Sequence, residues 1–279
     1  MTTTDSSPLK DRTLLISGGS RGIGLAIAQR AARDGANVAL LAKTAAPHPR
    51  LEGTIYTAAS AIEQAGGQAL PIVGDVRDEQ SIIAAVEQTV ERFGGIDIVV
   101  NNASAIDLSP STELPAKKFD LMQQIEVRGA FLLTRTAIPH LRASEHAHVL
   151  TLSPPLNLSE KWLGACVGYM LAKYGMTLAA LGFAAELSAD GIASNTLWPR
   201  TIIATAAVQN LLGGDAAIAR SRTPEIMGDA AHAILARSPL ELTGQQLIDD
   251  EVLAEIGVTD LTAYQQRDTN ELQLDIFLD

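Results

Sequence analysis

Tyr169 and Lys173 bracket the run Tyr169-Met170-Leu171-Ala172-Lys173. On a helix, side chains spaced i and i+4 lie on one face, about one turn apart. A free phenol, with a pKa of about 10, is a poor proton donor or acceptor at neutral pH. A neighbouring ammonium favours the phenolate and brings the group closer to working range. The pair could therefore perform acid–base chemistry, or it could be a half-buried tyrosine beside a solvated lysine. The spacing alone does not choose, so the elements that would position it must.

The first of these is a glycine turn. Thr13-Leu14-Leu15-Ile16 is a short β-favouring run, followed by Ser17-Gly18-Gly19-Ser20-Arg21-Gly22-Ile23-Gly24 and then by the strong helix former Leu25–Ala32. Strand, glycine turn, helix is the context in which a Gly-rich motif carries meaning. Glycines at 18, 22 and 24 permit positive φ and close backbone approach. The start of the following helix presents free N–H groups and its positive dipole end to a pyrophosphate. The competing reading is an ordinary strand–helix turn. In dinucleotide binders that prefer NAD, an acidic residue about 20 positions beyond the glycines bonds the ribose 2′-hydroxyl. Here Lys43 follows the second strand, Ala36–Ala42, and no Asp or Glu lies between Gly35 and Arg50. Lys43 and Arg21 could face a 2′-phosphate, which favours NADP(H) over NAD(H), or both could be solvated surface charges.

Further along, strands and helices keep alternating. Ala69–Val73 reads as a third strand, with Gly74-Asp75-Val76 at its end, where ligands sit in open parallel sheets. Asp78 is placed to N-cap a helix to about Phe93, ended by Gly94-Gly95. Asp97–Ser104 is a fourth strand with Asn101-Asn102-Ala103 at its end, either turn formers or a cofactor edge. A long helix over 116–142 with a bend near Pro139 is expected, then a fifth strand over His146–Ser153, a loop over Pro154–Ala165 and a helix over Cys166–Ala189 carrying Tyr169 and Lys173. Gly191–Pro199 is strand six, Glu225–Arg237 a helix and Gln246–Asp249 the last strand. The alternation predicts an α/β fold, a doubly wound parallel sheet of about seven strands with helices on both faces. No repeat or linker divides it, so one domain over 1–279 is expected. Residues 1–9 are expected to be flexible, residues 250–279 to form a C-terminal extension, and 200–224 to cover a substrate. Ile202, Ile203, Val208, Leu211 and Leu212 give that cover an apolar character, and Gly213-Gly214 marks a hinge or a helix end.

Composition narrows the partners. A net charge of −11 argues against nucleic acid and against an anionic membrane surface. No apolar run is long enough to span a bilayer, so no membrane insertion is expected. Cys166 is the only cysteine, which rules out an intrachain disulfide. No metal site is expected: His146 and His148 lack an accompanying carboxylate or thiol cluster and read as a strand entrance, and His48, between two prolines, reads as solvent-facing. The polar start of the sequence lacks the apolar core of a signal peptide, and the expectation is a cytoplasmic protein.

Taken together, the glycine pattern, Asp75, Asn101-Asn102-Ala103 and Tyr169-x-x-x-Lys173 resemble the short-chain dehydrogenase/reductase family in order and spacing, from about Lys10 to Gln246. The resemblance implies a Rossmann-type sheet, a homodimer or homotetramer, and hydride transfer between a nicotinamide and an apolar alcohol or carbonyl of steroid, fatty or terpenoid type. It makes Tyr169 the general acid/base and gives Lys173 the nicotinamide ribose. It places Asp75 at the adenine, Asn101 and Ala103 at the adenosine-side ribose, and Thr201 and Ile202 at the nicotinamide amide. Gly18, Ser20, Arg21, Gly22, Ile23, Gly24, Lys43, Val76 and Pro199 complete the expected cofactor contacts.

Two positions depart from the family pattern. The serine that polarises the substrate carbonyl would fall at Leu156 by spacing, or at Pro154 by its place at the strand end. Ser153 is adjacent and could take its place, held extended by Pro154, or it could bond nearby backbone and leave Tyr169 to act alone. The family asparagine before a helix glycine falls at Glu126, whose charge would raise the Lys173 pKa and weaken its effect on Tyr169. These departures keep a second expectation open, a dinucleotide-binding accessory or sensor protein with little turnover.

Overall fold

The computed structural model describes residues 7–47, 52–211, 213–267 and 271–279. Within them β1 (Thr13–Ser17), α1 (Gly22–Ala32), β2 (Asn37–Ala42), α2 (Ile55–Gln64), β3 (Gln68–Val73), α3 (Glu79–Phe93) and β4 (Ile98–Asn101) alternate as expected. The chain continues through α4 (Ala116–Gln123), a π-helical turn (Gln124–Arg128), α5 (Gly129–Leu141), β5 (His148–Thr151), α6 (Glu160–Ala165), α7 (Val167–Glu186) and β6 (Ala193–Trp198). It ends with α8 (Ala206–Leu211), α9 (Gly214–Ile218), α10 (Glu225–Leu235), β7 (Gln246–Ile248) and α11 (Asp249–Glu255).

All seven strands are parallel, in the order β3-β2-β1-β4-β5-β6-β7. Strand side chains alternate between faces. Leu14 and Ile16 of β1 pack with Ile27, Met227 and Ile234 on the face covered by α1 and α10. Leu15, between them, packs with Ile82, Leu133 and Val149 on the other. Every residue of β1, β4, β5 and β6 is buried, as sheets covered on both faces require. Pro71 sits in β3, an edge strand, where a missing N–H is tolerated.

Local signals set the helix ends. Asp78 caps α3 by accepting the Gln80 N–H at 3.1 Å, and Gly94 closes it with φ +85°. Thr54 and Thr57 form a reciprocal box at the start of α2.

Three expectations, for the helix bend, the 154–165 loop and the first described residues, are corrected. The long helix runs through Pro139 and is broken instead by the π-helical turn at 124–128, which buries both Ile125 and Glu126. The stretch 154–165 is not all loop, because α6 forms within it. Residues 7–9 are anchored: Leu9 is fully buried and its N–H bonds Asp34 at 3.1 Å. Segment 200–224 holds α8 and α9. His146 and His148 donate from Nε2 to the carbonyls of Leu235 and Arg237, and no group of metal-ligating side chains occurs among the described residues. His48 and Leu212 lie outside the described residues. No described helix is long and apolar enough to cross a membrane.

Candidate active site

Parallel strands open a crevice where the chain order reverses, here between β1 and β4. A cavity of about 640 Å³ lies there, walled by residues at the C-terminal ends of the strands. Gly18 follows β1, Lys43 follows β2, Asp75 follows β3, Ala103 follows β4, Leu152 follows β5, and Pro199 follows β6.

The glycine turn shapes one end. Gly18 has φ +72°, and a Cβ there would stand 2.9 Å from the Ala103 Cα. Asn102 ties the two strand ends together, donating to the carbonyls of Ser17 and Gly18 at 3.1 and 3.0 Å. Helix α1 then begins at Gly22 with Arg21 extended and no side chain capping its first N–H groups. Ser20, Arg21, Gly22 and Ile23 reach the cavity. Gly24 does not; a Cβ there would meet the Asn102 Nδ2 at 2.5 Å, so its role is to let α1 close on the β4 end.

Charge is arranged around Asp75. Arg77 forks onto its carboxylate, and Lys43 Nζ lies 3.6 Å from Oδ2. The Arg77 hydrogen bond, opposed by partial burial and assisted by the Lys43 charge, holds the Asp75 carboxyl below its ordinary value. Arg21 donates to the carbonyls of Glu52 and Gly53, each at 3.0 Å.

At the other end α7 presents Tyr169 and Lys173 on the cavity wall, each nearly enclosed. Lys173 Nζ donates to the Leu152 carbonyl at 3.0 Å. Burial pushes the Lys173 pKa down, opposed by the charges of Glu126 and Asp275. Burial and those same two carboxyls push Tyr169 well above the ordinary phenol value, while a hydrogen bond with Ser104 lowers it. Glu126, fully buried, accepts from Ser104 Oγ and from the Ala105 N–H through one oxygen; its other oxygen has no partner. Its carboxyl is raised by burial against the Lys173 charge. The aromatic side of the wall is Trp198, with Phe277 packed behind it against Tyr169, Tyr174 and Trp162.

Besides Gly24, four expected site residues stand elsewhere. Ser153 is fully buried behind the wall, its Oγ accepting from Thr177 Oγ1 at 2.9 Å. Just past the strand end, where its N–H turns back to the Thr151 carbonyl at 3.0 Å, it does not border the cavity that Leu152 borders. Asn101 points into the interior and donates to Thr134 Oγ1 at 2.9 Å, so Asn102, its neighbour, lines the cavity. Thr201 bridges Leu274, and the Ile202 N–H donates to the Gln273 carbonyl at 3.0 Å. Both are turned to the C-terminal segment and neither borders the cavity.

Ser104, Thr205 and Asp275 were missed in the sequence, and of the Asn101-Asn102 pair the wrong member was assigned to the cofactor. Alternation along β4 could have separated Asn102 from Asn101. For Asp275, far along the chain, no local signal exists.

The family model described as short chain dehydrogenase matches residues 12–216, and the chain belongs to that family. More narrowly, it is similar to hydroxysteroid dehydrogenase-like protein 2. The Xenopus tropicalis protein of that name is 54% identical over 267 residues, covering 96% of this chain and 63% of that one. The human protein is 49% identical over 267 residues, with coverage of 96% and 63%. The chain therefore spans just under two thirds of the length of these relatives. A short chain dehydrogenase from Mycobacterium thermoresistibile superposes with a TM-score of 0.92 at 60% identity, covering 97% of this chain and 96% of that one. The family is one of oxidoreductases that bind nicotinamide dinucleotides. The glycine cradle, the uncapped α1 start and the Tyr169–Lys173 wall fit such a group.

Proposed function

We propose that this chain is an NADP(H)-dependent oxidoreductase for apolar alcohols and carbonyls of steroid, fatty or terpenoid type. The observation that carries the reading is the shared cavity, with the Gly18–Ile23 turn at one end and Tyr169 and Lys173 at the other. The backbone N–H groups at the start of α1 hold the pyrophosphate, and Lys43 and Arg21 favour a 2′-phosphate. Asp75 and Val76 border the adenine end, Asn102 and Ala103 the ribose, and Lys173 and Pro199 the nicotinamide end. When bound, the dinucleotide supplies or accepts the hydride. Tyr169 gives its hydroxyl proton to the substrate oxygen in reduction and takes it back in oxidation. The Lys173 charge favours the phenolate and so eases that transfer. Ile106, Leu108 and Ile276, which cluster with Tyr169, border the cavity, as do Val208 and Leu211 of α8, and this apolar lining suits an apolar substrate.

Loss of NADPH absorbance with a panel of apolar aldehydes and ketones tests the reading. Tyr169→Phe should lower turnover by about 10²–10⁴, the usual contribution of a positioned acid. The second reading, a dinucleotide-binding accessory or sensor protein, is favoured by the turned-away Ser153 and by Glu126 in the asparagine place. Tight NADPH binding by fluorescence with no carbonyl turned over would select it.

A further inference from the structure

A carbonyl taking a hydride builds negative charge on oxygen, and donors aimed at that oxygen lower the barrier. Tyr169 supplies one. Ser153 cannot supply the second, because it is fully buried and does not border the cavity, its Oγ accepting from Thr177 instead. The Ser104 hydroxyl is already engaged by Glu126 and by Tyr169 itself. The remaining hydroxyls on the wall, those of Ser20, Thr44 and Thr205, stand at the glycine-turn end with Lys43 and Gly22.

Resting on the oxidoreductase reading, we propose that Asp275 is the second donor to the substrate oxygen, acting as a neutral carboxylic acid in the place of the family serine.

Asp275 borders the cavity together with Tyr169 and Lys173. The C-terminal segment delivers it there and holds it. Gln273 accepts the Ile202 N–H, Leu274 bridges Thr201, and the Asp275 N–H donates to the Arg200 carbonyl at 3.0 Å. The Phe277 ring, fully buried, stacks on Tyr169 with centroids 6.3 Å apart and anchors the turn just beyond. One carboxyl oxygen, Oδ1, accepts the Ile276 N–H at 2.7 Å. That bond fixes the plane of the group and leaves Oδ2 to carry a proton. A carboxylic acid kept neutral by an enclosed site can donate to a developing oxyanion. The charged groups facing Asp275 are Asp249, which repels its anion, and Lys173, which attracts it; burial dominates and pushes the carboxyl up to about 7. Arg200 is turned to Asp250 and Glu251 instead.

The sign follows. Below about pH 7 Asp275 holds its proton and donates; above it the anion repels the growing oxyanion. Carbonyl reduction by the unaltered protein should fall as pH rises through that range. Asp275→Asn donates at every pH, so it should keep turnover within about tenfold and lose that limb. Asp275→Leu should lower kcat by about 10²–10³, the cost of one oxyanion donor. An infrared difference between unaltered protein and Asp275→Asn at pH 6 should show a protonated carboxyl stretch, independent of turnover. The assignment falls if Asp275→Leu keeps kcat within threefold, if the limb persists in Asp275→Asn, or if the infrared band is absent. A protein that reduces no carbonyl and is unaffected by Tyr169→Phe overturns the oxidoreductase reading as well, which separates the two failures.

Discussion

Glu126, fully buried, accepts a hydrogen bond of 3.1 Å from Ser104, which borders the cavity with Tyr169 and Lys173. The π-helical turn brings Glu126 there, and such turns are frequent at functional sites. The Glu126 carboxyl raises the Tyr169 pKa, after burial the largest influence on it, and supports the charge on Lys173. Glu126→Gln keeps an acceptor for Ser104 and removes the charge. The expected result is a downward move of the basic pKa seen in kcat/KM for alcohol oxidation, because the phenolate becomes easier to form. An upward move, or none, would show that Glu126 does not act on Tyr169.

Much of the fold was readable because β1 to β4 were short, largely apolar runs with glycine-rich or polar ends, and the parallel alternation followed from the helices between the strands. Residues that depend on neighbours far away in sequence were not readable. Whether Asn101 or Asn102 faces the cavity depends on which side of β4 the helix α5 covers. Ser153 looked available because Pro154 follows it, but its side chain is fully buried off the cavity, where Oγ accepts from Thr177 of the adjoining helix. Thr201 and Ile202 are occupied by a segment some seventy residues on, at Gln273 and Leu274. Periodicity reports burial, and it cannot report which buried group a distant segment will engage.

Cofactor preference should reside in Lys43. Its ammonium stands at the end of β2, held 3.6 Å from Asp75, and about half of its side chain is exposed to meet a phosphate. Lys43→Ala should weaken NADPH binding about tenfold, within the range of a single charged hydrogen bond. NADH binding should change little. Lys43→Asp should reverse the preference, since a carboxylate repels a 2′-phosphate and accepts from a 2′-hydroxyl. Fluorescence titration with both dinucleotides reads the result, and equal affinities in the unaltered protein would refute the assignment.

Assembly should use the outer face of α7. Leu171, Gly175, Leu178 and Gly182 follow helical spacing; Leu171 and Leu178 are 47% and 59% exposed, and no atom approaches Gly182 where its Cβ would be. Gly175 already packs on Val127 within the chain, so the exposed leucines rather than that glycine carry the contact. Phe131, 44% exposed, extends the patch from α5. A homodimer or homotetramer is expected, and Leu178→Asp should dissociate it by placing a charge in an apolar contact. Sedimentation at micromolar concentration decides, and a monomeric unaltered protein would remove the proposal.

Acid sensitivity should trace in part to His148. The imidazole is buried at the start of β5, with Nε2 donating to the Arg237 carbonyl at 3.1 Å and Nδ1 unpartnered. Burial, reinforced by His146, lowers its pKa from 6.5 to about 3. The native state therefore refuses a proton that the unfolded chain accepts between those values. Stability from this group is complete above about pH 6.5 and declines as pH falls toward 3, by up to ~5 kcal/mol. Asp249 and Asp275, raised to about 6 and about 7, act in the opposite sense, so the comparison must be between variants at each pH. His148→Gln retains a donor for the Arg237 carbonyl and does not titrate. Its urea midpoint should fall less between pH 7 and pH 4 than that of the unaltered protein. Equal falls would place the acid sensitivity elsewhere, with His232 and its partner Asp34 next to test.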